Sequence, residues 1–453
     1  MKKILPILFL IISTSSYSQF GIPIKIDSNL HSAFRNMITF DVNNDGRMDI
    51  VVMEYVNIIS WYENTDTGFS SPQNITSSIF RPYHFDKADV NGDGFMDLLV
   101  TNNAGNSSGA SVFLNNNGGI SWTELIIDNT LELGSFKSFF IDVENDGDSD
   151  IVIISDSKIT LYKNNGNGGF SSAIIIEDTN QFYSLIVGDF NTNGFTDLII
   201  STAKSELSIL TNNTSGSFNP PLSIDNGLRS FLTSTDIDND GDLDLIGNHP
   251  NMTNEVQFYK NNGTGTFTLS HNEPNCDVLS GSDSKFRFSD LNNNGYKDIL
   301  YLDNFKALWK ENDESGSFGT PILIDSTYKY RIISSADVDN DGDNDIIWLG
   351  LVTTTNTYDF GYIKNESPLG LKNIHHENEI KIFPNPASNR VSIRIQQPGT
   401  LTVYNTLGQV VLSDITLIKG ENNFEFSLSP QLYYFTVQSN STTKLWRKLI
   451  SIQ

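Results

Sequence analysis

Short apolar runs separated by turn-forming residues are the main pattern of this chain. In one well-defined stretch the apolar positions fall in four runs, Ser138 to Val143, Ile151 to Ser155, Lys158 to Tyr162 and Ala173 to Glu177. Segments rich in Gly, Asn and Asp separate these runs. The length and composition of the runs predict four antiparallel β-strands. Nothing in the stretch has the periodicity of a helix.

The same unit recurs along most of the chain. Between its first and second strands lies a nine-residue motif with Asp at positions 1 and 9, acidic or amide residues at 3 and 5, and Gly at 6. Seven copies begin at Asp41, Asp89, Asp142, Asp189, Asp236, Asp290 and Asp337. Successive copies start 47 to 54 residues apart. A period in this range predicts propeller blades or solenoid turns.

A segment near the amino terminus decides between these two architectures. Several units place a Gly and a Phe before their fourth strand, but the seventh unit stops at Tyr362–Asn365 without them. Phe20–Asp27 closely matches Phe318–Asp325 of the sixth unit. A ring needs such a strand to leave no sheet edge unpaired, whereas an open solenoid does not. We therefore predict an all-β fold, a seven-bladed β-propeller over residues 19–367 that the N-terminal strand closes.

The two ends of the chain have a different composition. Met1–Lys3, the apolar run Ile4–Ile12 and the small residues Ser16–Ser18 predict a signal peptide, residues 1–18, that is cut before Gln19. The apolar run is too short to span a bilayer, and no other run approaches the roughly 20 residues required. Residues 368–378 are polar and predict a linker. Residues 379–453 alternate short strands with turns and predict a small C-terminal β-sandwich.

The charge of the chain follows mainly from the repeated motif. Its formal net charge is −25, and 22 of its 54 acidic residues occupy positions 1, 3, 5 and 9 of the motif. Such acidity argues against nucleic-acid binding, which needs a basic face. Cys276 is the single cysteine, so an internal disulfide is excluded. In an exported chain, metal ions are the obvious substitute for disulfide cross-links.

The motif has the spacing of an oxygen-rich cation loop. Positions 1, 3, 5 and 9 offer side-chain oxygens, position 7 offers its backbone carbonyl, and Gly at 6 allows the sharp turn. Oxygen ligands without nearby His or Cys favour Ca²⁺ over zinc or copper. The predicted ligands are Asp41, Asn43, Asp45, Arg47 and Asp49; Asp89, Asn91, Asp93, Phe95 and Asp97; Asp142, Glu144, Asp146, Asp148 and Asp150; Asp189, Asn191, Asn193, Phe195 and Asp197; Asp236, Asp238, Asp240, Asp242 and Asp244; Asp290, Asn292, Asn294, Tyr296 and Asp298; and Asp337, Asp339, Asp341, Asp343 and Asp345.

The seven loops differ in charge. The loops that begin at Asp189 and Asp290 each contain two carboxylates among positions 1, 3, 5 and 9, whereas the third, fifth and seventh loops contain four. Because ligand charge tunes calcium affinity, we expect these two sites to be the weakest of up to seven. The alternative interpretation is that the motifs are simply good hairpin turns.

With these loops in phase, the units resemble FG-GAP/VCBS repeats, the calcium-binding blades of the integrin α-subunit head and of many bacterial surface proteins. The resemblance implies a calcium-binding propeller. It does not imply one activity, because one architecture serves many functions.

The C-terminal segment carries a second resemblance. It contains Pro384-Asn385-Pro386, the segment Val403 to Val411 with Leu407-Gly408-Gln409, and Lys444-Leu445 near its end. These elements resemble the type A sorting domain of the type IX secretion system of Bacteroidetes. The resemblance implies recognition by the outer-membrane translocon, location outside the cell or on its surface, and removal of the domain or its exchange for a lipopolysaccharide anchor. The alternative is an ordinary accessory sandwich.

The metal loops all lie on one face of the predicted ring, so a ligand is expected on the opposite face, where connections vary. The longer connections there, and the candidates for partner contacts, are Asn102–Ala110, Asn248–Asn254, Leu351–Tyr358 and Ser270–Ser284, which includes Cys276. We expect a secreted or cell-surface protein that binds a carbohydrate or a protein.

Two alternatives to a binding protein remain, a polysaccharide-degrading enzyme on the same fold and a structural matrix protein. The six His residues have no zinc-type spacing, and the chain lacks a GxSxG elbow and a P-loop. We interpret His84 and His249 as loop residues with satisfied side chains, and a general base is the alternative interpretation.

Overall fold

Seven four-stranded antiparallel sheets, blades 1 to 7, follow one another along the first 366 residues. The computed structural model describes residues 19–55, 57–103, 108–131, 137–178, 181–202, 206–225, 232–248, 255–274, 285–366, 380–383, 390–395, 398–405, 410–425, 432–439 and 445–451. The predicted signal peptide, the predicted linker and Cys276 lie outside these residues. Within them there is no helix, and therefore no helix that could span a membrane.

Each blade runs from its first strand to its fourth in chain order, except that the fourth strand of blade 7 comes from the amino terminus. The strands are, in blade 1, Phe34–Phe40, Asp49–Glu54, Ile59–Tyr62 and Gln73–Thr76; in blade 2, Pro82–Ala88, Asp97–Asn102, Gly109–Asn116 and Ser121–Asp128; in blade 3, Lys137–Ile141, Asp150–Ile154, Ile159–Tyr162 and Ile174–Glu177; in blade 4, Phe182–Gly188, Asp197–Thr202, Leu207–Leu210 and Leu222–Asp225. The others are, in blade 5, Leu232–Thr235, Asp244–Asn248, Glu255–Asn261 and Phe267–Pro274; in blade 6, Phe286–Ser289, Asp298–Asp303, Lys306–Lys310 and Ile322–Asp325; in blade 7, Lys329–Ala336, Asp345–Val352, Thr357–Ile363 and Ile24–Leu30. A two-residue hairpin, Asn64–Thr65 with Gly68–Phe69, extends blade 1.

The four strands predicted for the third unit are confirmed to within two residues. Its second strand shows why the apolar runs predict the strands correctly. Asp150–Ile154 is buried along its whole length, because neighbouring blades cover both faces of the sheet. A continuous apolar run is what such a position requires. The fourth strand, Ile174–Glu177, is largely exposed, because it lies at the outer edge of its blade.

Apolar contacts between adjacent blades hold the ring together. Seven buried clusters occur, and each combines residues of two neighbouring blades. The cluster between blades 7 and 1 includes Phe360 and Ile347 from blade 7 and Met37, Ile50 and Val52 from blade 1. The last blade therefore packs on the first, and the architecture is a closed seven-bladed β-propeller.

Ile24–Leu30 is the outer strand of blade 7 and pairs antiparallel with Thr357–Ile363. Before this strand, Phe20 bridges Asn365, as Phe318 bridges Asn312 in blade 6. Close approach of the two strands depends on Gly361, since a Cβ atom there would lie 1.9 Å from the carbonyl oxygen of Ile24.

The longer connection predicted at Leu351–Tyr358 is a lengthened hairpin. Strands Asp345–Val352 and Thr357–Ile363 run into it, and Val352 pairs with Thr357. The extra residues therefore extend the second and third strands of blade 7 instead of forming an irregular loop. Residues 104–107 and 249–254 of the other candidate connections lie outside the described part of the chain, as do 275–284.

The C-terminal segment forms two further sheets. One contains Ile380–Phe383, Arg390–Ile395 and Gly420–Glu425, and the other contains Val410–Leu417, Gly399–Asn405, Leu432–Ser439 and Leu445–Ser451. Their inward residues form one apolar cluster that includes Ile393, Leu401, Val403 and Phe435. This arrangement is the predicted small β-sandwich.

Candidate functional site

All seven acid-rich motifs form the turn between the first and second strands of a blade. In each turn the Asp at position 1 accepts a hydrogen bond from the backbone N–H of the Gly at position 6, at 2.7–3.0 Å. The residue at position 5 accepts one from the backbone N–H of position 7, at 2.8–3.1 Å. These bonds fold every motif into the same curled loop, in which positions 1, 3 and 5 face one another.

Two positions of the loop have left-handed backbone. The Gly at position 6 has φ between 86° and 98° in all seven loops, as the sequence pattern predicts. Position 4 also has positive φ, from 56° to 74°, which the pattern-based prediction missed. The signal was present in the sequence, because position 4 is Asn in five loops and Gly in one, the residues that tolerate this region best. Thr192 of the fourth loop is the exception.

The donor set fits a hard cation best in the fifth and seventh loops. Side-chain oxygens of Asp236, Asp238 and Asp240 lie within 4.8 Å of one another, as do those of Asp337, Asp339 and Asp345. Oxygens in these same loops are buried without a hydrogen-bond partner, namely Asp238 Oδ1, Asp337 Oδ1 and Asp339 Oδ1. Buried anionic oxygens without donors are costly, and a bound divalent cation would satisfy them.

The Asp at position 9 is buried in every loop, and it accepts two backbone hydrogen bonds within its blade. Its Oδ2 accepts the backbone N–H of position 2, and its Oδ1 accepts the backbone N–H of an Asn at the end of the third strand or just after it. A carboxylate has about four acceptor sites, so lone pairs remain for a metal. The predicted role of this Asp as a metal ligand therefore stays a prediction, and the structure adds a role in holding the blade.

Burial governs the protonation of these seven carboxyls. Desolvation raises the pKa of Asp49, Asp97, Asp150, Asp197 and Asp244 to about 6, and that of Asp298 and Asp345 to about 7. The two backbone hydrogen bonds act in the opposite direction but do not cancel the effect. Neighbouring loop carboxylates raise the pKa of most of them further.

The Asn at the end of the third strand, or just after it, connects neighbouring blades. Its side-chain amide donates to the backbone carbonyl of position 2 in the preceding loop, at 2.7–2.9 Å. The seven pairs are Asn64 with Val338, Asn115 with Val42, Asn164 with Val90, Asn212 with Val143, Asn261 with Phe190, Asn312 with Ile237 and Asn365 with Leu291. We call these bonds the asparagine latches. They form an unbroken circle beside the seven acid-rich loops.

In five of the seven blades, a charged residue immediately before the latch Asn bonds the side chain at position 3 of that blade's loop. Where position 3 is acidic, a Lys pairs with it at 2.5–2.7 Å; the pairs are Lys163 with Glu144, Lys260 with Asp238 and Lys364 with Asp339. Where position 3 is Asn in the first and sixth loops, a Glu accepts its amide instead; the pairs are Asn43 with Glu63 and Asn292 with Glu311. The charge difference among these loops is therefore smaller than the motif alone indicates.

Arg47, at position 7 of the first loop, is a special case. Its guanidinium bonds Asp45 Oδ2 at 2.6 Å and Asp66 Oδ1 at 3.0 Å. The backbone carbonyl of Arg47 was predicted as a metal ligand, but its side chain is itself a cation inside the loop. It already occupies the carboxylate at position 5 that a metal ion would need.

A pocket of about 580 Å³ lies on the face opposite the loops, between blades 1 and 2. Its described lining is Arg35, Tyr55, Phe80, Arg81 and Asn103. Tyr55 and Phe80 are 52% and 54% exposed. Asn103 belongs to the Asn102–Ala110 connection that the sequence singled out for partner contacts. The other four residues were not predicted, because nothing in the repeat pattern marks them.

The pocket residues are held in place by their surroundings. The Arg35 guanidinium lies 4.2 Å from the ring centre of Tyr83 and 5.3 Å from that of Tyr55. Arg81 has φ of 54°, and its carbonyl accepts the backbone N–H of Asn103 at 3.1 Å. The pocket lining that the structure describes contains no carboxylate and no His. His84 lies nearby along the chain, but its Nδ1 accepts the backbone N–H of Ser138 at 3.4 Å.

Comparisons with known proteins agree with this architecture. The FG-GAP-like repeat family matches residues 41–100, 142–200, 189–247, 236–301 and 290–348, and the FG-GAP repeat matches 82–120. The secretion system C-terminal sorting domain matches residues 381–453. No curated protein matches the chain.

Two solved structures with the same fold are only distantly related in sequence. One is a lectin of Agrocybe aegerita that recognises non-reducing terminal N-acetylglucosamine, with a TM-score of 0.52, 22% identity, and coverage of 65% of this chain and 81% of that chain. The other is BBS1N in complex with ARL6DN, with a TM-score of 0.51, 12% identity, and coverage of 76% of this chain and 96% of that chain.

The C-terminal match means that the chain is exported by the type IX secretion system to the cell surface or the extracellular space. Most of the remaining chain is covered by one repeat family, whose loops and blades are those described above. The chain belongs to the family of FG-GAP-like repeat proteins.

Proposed function

We propose that this protein is an exported, calcium-stiffened propeller that binds a carbohydrate in the pocket between blades 1 and 2. The observation that carries the proposal is the composition of that pocket. Tyr55 and Phe80 expose about half of their surface in a cavity that also holds two Arg side chains and Asn103. Aromatic rings stack on the C–H faces of a pyranose, while guanidinium and amide groups bond its hydroxyls. Such apolar lining with a few polar groups is typical of small-molecule sites.

Calcium has a structural role in this proposal. The buried, unpartnered oxygens of Asp238, Asp337 and Asp339 support a cation in the fifth and seventh loops. The loops lie on the face opposite the pocket, so a bound ion stiffens the ring without touching the ligand. Calcium outside cells is concentrated enough to fill sites of modest affinity. The asparagine latches, which join position 2 of each loop to the next blade, transmit this order around the ring.

A polysaccharide-degrading enzyme is a weaker interpretation of the same pocket. Glycosidic cleavage needs groups that transfer protons, and in most hydrolases these are two carboxylates. Arg, Tyr, Phe and Asn are the only residue types in the described lining. The fold is compatible with sugar binding, since the Agrocybe aegerita lectin has a propeller of this kind.

A glycan array probed with the full chain in calcium tests the proposal. We expect retention on a limited set of glycans, and at least a tenfold loss of affinity in Tyr55→Ala and Phe80→Ala. Leu222→Ala, an exposed apolar residue on the outer strand of blade 4, is the matched control and keeps wild-type affinity. Release of new reducing or unsaturated ends from a bound polysaccharide would show that the protein is an enzyme. Retention of no glycan, or equal retention by all three variants, would overturn the proposal.

A further inference from the structure

We propose that the pocket between blades 1 and 2 recognises an anionic saccharide, whose oxyanion substituent is bound by Arg35 and Arg81. This inference rests on the proposed carbohydrate binding and names the class of sugar. The chemistry in question is a carboxylate or sulfate group carried by a pyranose ring. Neutral glycans would use the aromatic surface of the pocket but leave its two guanidinium groups unpaired.

The two pocket Arg residues differ from several other cations of the chain in having no acidic partner among the described residues. The chain has 54 acidic and 29 basic residues, and several of its cations form ion pairs. Arg47 pairs with two Asp residues, and Arg394 pairs with Glu421. Within the described chain, neither Arg35 nor Arg81 forms an ion pair, and the described pocket lining holds no acid. Two cations that line one pocket without a carboxylate partner favour an anionic ligand.

Arg35 is positioned to donate hydrogen bonds. Tyr83 and Tyr55 lie near its guanidinium, at 4.2 and 5.3 Å from the ring centres, and restrict its movement. Its Nη1 donates one bond, to the carbonyl of Pro82 at 3.4 Å. A guanidinium has five N–H donors, so most remain for a ligand. Pre-ordered side chains lose less conformational entropy when a ligand binds.

Arg81 is held in a strained backbone conformation. Its φ of 54° lies in the left-handed region, which costs a non-glycine residue about 1 kcal/mol or more. The loop keeps this conformation because blade 2 binds it on both sides of the strained residue. Asn103 N–H donates to the Arg81 carbonyl at 3.1 Å, and Asn102 Nδ2 donates to the Phe80 carbonyl at 3.2 Å. The strain fixes where the Arg81 and Phe80 side chains leave the backbone.

The size of the pocket and the charge of the chain restrict the ligand further. A cavity of about 580 Å³ lies within the usual range of about 300–1,000 Å³ for small-molecule sites, and it suits a few sugar rings. A long polyanion such as nucleic acid is disfavoured, because the net charge of −25 repels it outside the pocket. A short acidic saccharide places one or two charges where the Arg residues are.

Isothermal titration of the full calcium-loaded chain with three ligands tests the inference. The ligands are an oligogalacturonate, its neutral methyl ester and a sulfated galactan oligosaccharide. We expect the acidic sugar to bind at least tenfold more tightly than its ester, with affinity falling as salt is raised. We expect Arg35→Gln and Arg81→Gln each to weaken binding of the acidic sugar at least tenfold. The control is Lys329→Gln, which removes a positive charge in blade 7, near Phe305 of blade 6. We expect this variant to bind the acidic sugar with wild-type affinity.

The outcomes separate this inference from the proposed function. Equal binding of the acid and its ester, together with unchanged affinity in both Arg variants, overturns the anionic ligand while sugar binding stands. Binding of the sulfated ligand alone upholds the inference with sulfate as the oxyanion. Binding of none of the three, and of no glycan on an array, overturns both proposals. The comparison of acid with ester uses the wild-type chain, so it does not depend on how the variants fold.

Discussion

The side-chain amide of Asn64 donates a 2.7 Å hydrogen bond to the backbone carbonyl of Val338, 274 positions later in the chain. This bond crosses the seam where blade 7 meets blade 1. The same latch occurs at each of the other six blade junctions, so the seam is secured as the rest of the ring is.

The first prediction concerns the latches. Asn64→Ala and Asn212→Ala each leave a buried carbonyl without its donor, so each lowers the free energy of unfolding by about 1–3 kcal/mol. Asn74→Ala, at an exposed position of the outer strand of blade 1, is the control and has an effect below about 0.5 kcal/mol. Urea denaturation followed by tryptophan fluorescence measures all three. Equal denaturation midpoints for Asn212→Ala and Asn74→Ala would show that the latches contribute nothing.

The second prediction is the pH dependence of the metal-free protein. The pKa of Asp298 and Asp345 is raised to about 7 in the fold, and that of the five equivalent Asp residues to about 6, from an ordinary value of 3.8. Protonation of these groups is therefore more favourable in the fold than in the unfolded chain. The resulting stabilisation is present in full below about pH 4 and is lost as pH rises through 6 to 7.

Calcium should reverse this trend, because it binds the deprotonated carboxylates. We expect the thermal unfolding midpoint in chelator to decrease as the pH rises from 4.5 to 7.5. The increase in that midpoint on adding calcium should become larger over the same pH range. Differential scanning calorimetry at fixed ionic strength measures both. A metal-free midpoint that rises with pH would contradict the assigned pKa shifts.

The third prediction is the order in which metal leaves the loops. The fourth loop has two carboxylates and no acidic neighbour before its latch Asn, whereas Glu311 supplies a third to the sixth loop. We therefore expect the fourth site to empty first during chelation and Glu311→Gln to make the sixth empty early too. Anomalous scattering from crystals equilibrated at sub-saturating calcium gives the occupancy of each site. If the fourth site is the last to lose metal, charge does not set the order.

The fourth prediction concerns Arg47. Arg47→Phe removes the guanidinium that bonds Asp45 and places in the first loop the residue that loop 2 has at the same position, Phe95. We expect calcium to bind the first site about three- to tenfold more tightly, because one competing cation is gone. Site occupancies at sub-saturating calcium measure the change, and the second site serves as the internal reference. An unchanged first site would mean that Arg47 moves aside without cost.

The fifth prediction concerns backbone strain at Thr192. A β-branched residue with φ of 56° is disfavoured. The Asn amide can donate in place of Thr192 Oγ1, which bonds the Gly263 carbonyl at 3.0 Å, so Thr192→Asn stabilises the protein by about 1 kcal/mol. Asn239→Thr, the reverse change at the same position of the fifth loop, destabilises by a similar amount or more. The Asn239 side chain also donates to the carbonyl of Gly295 at 2.8 Å, and loss of that bond adds to the cost. Thermal unfolding of the calcium-loaded chain measures both changes. Equal stability of Thr192→Asn and wild type would refute the strain.

Local signals determined much of this protein. The apolar runs that end in Asp-rich turns gave the strands of each blade, because a strand covered on both faces must be apolar throughout. The match of Phe20–Asp27 to Phe318–Asp325 placed the N-terminal strand on blade 7, where Ile24 pairs with Tyr362. The glycine at position 6 marked each loop, since its φ above 80° excludes other residues.

Contacts between blades were decided only by the tertiary structure. The latch Asn is visible in every repeat, but its acceptor lies in another unit about 70 residues away, or 274 at the seam. The Lys and Glu residues that adjust the charge of the loops precede the latch Asn, whereas their partners lie in the loop between the first and second strands. The pocket joins Arg35 and Tyr55 of blade 1 with Asn103 of blade 2. A repeat pattern records what every unit shares, whereas a binding pocket arises from side chains that differ between units and meet only when the ring closes.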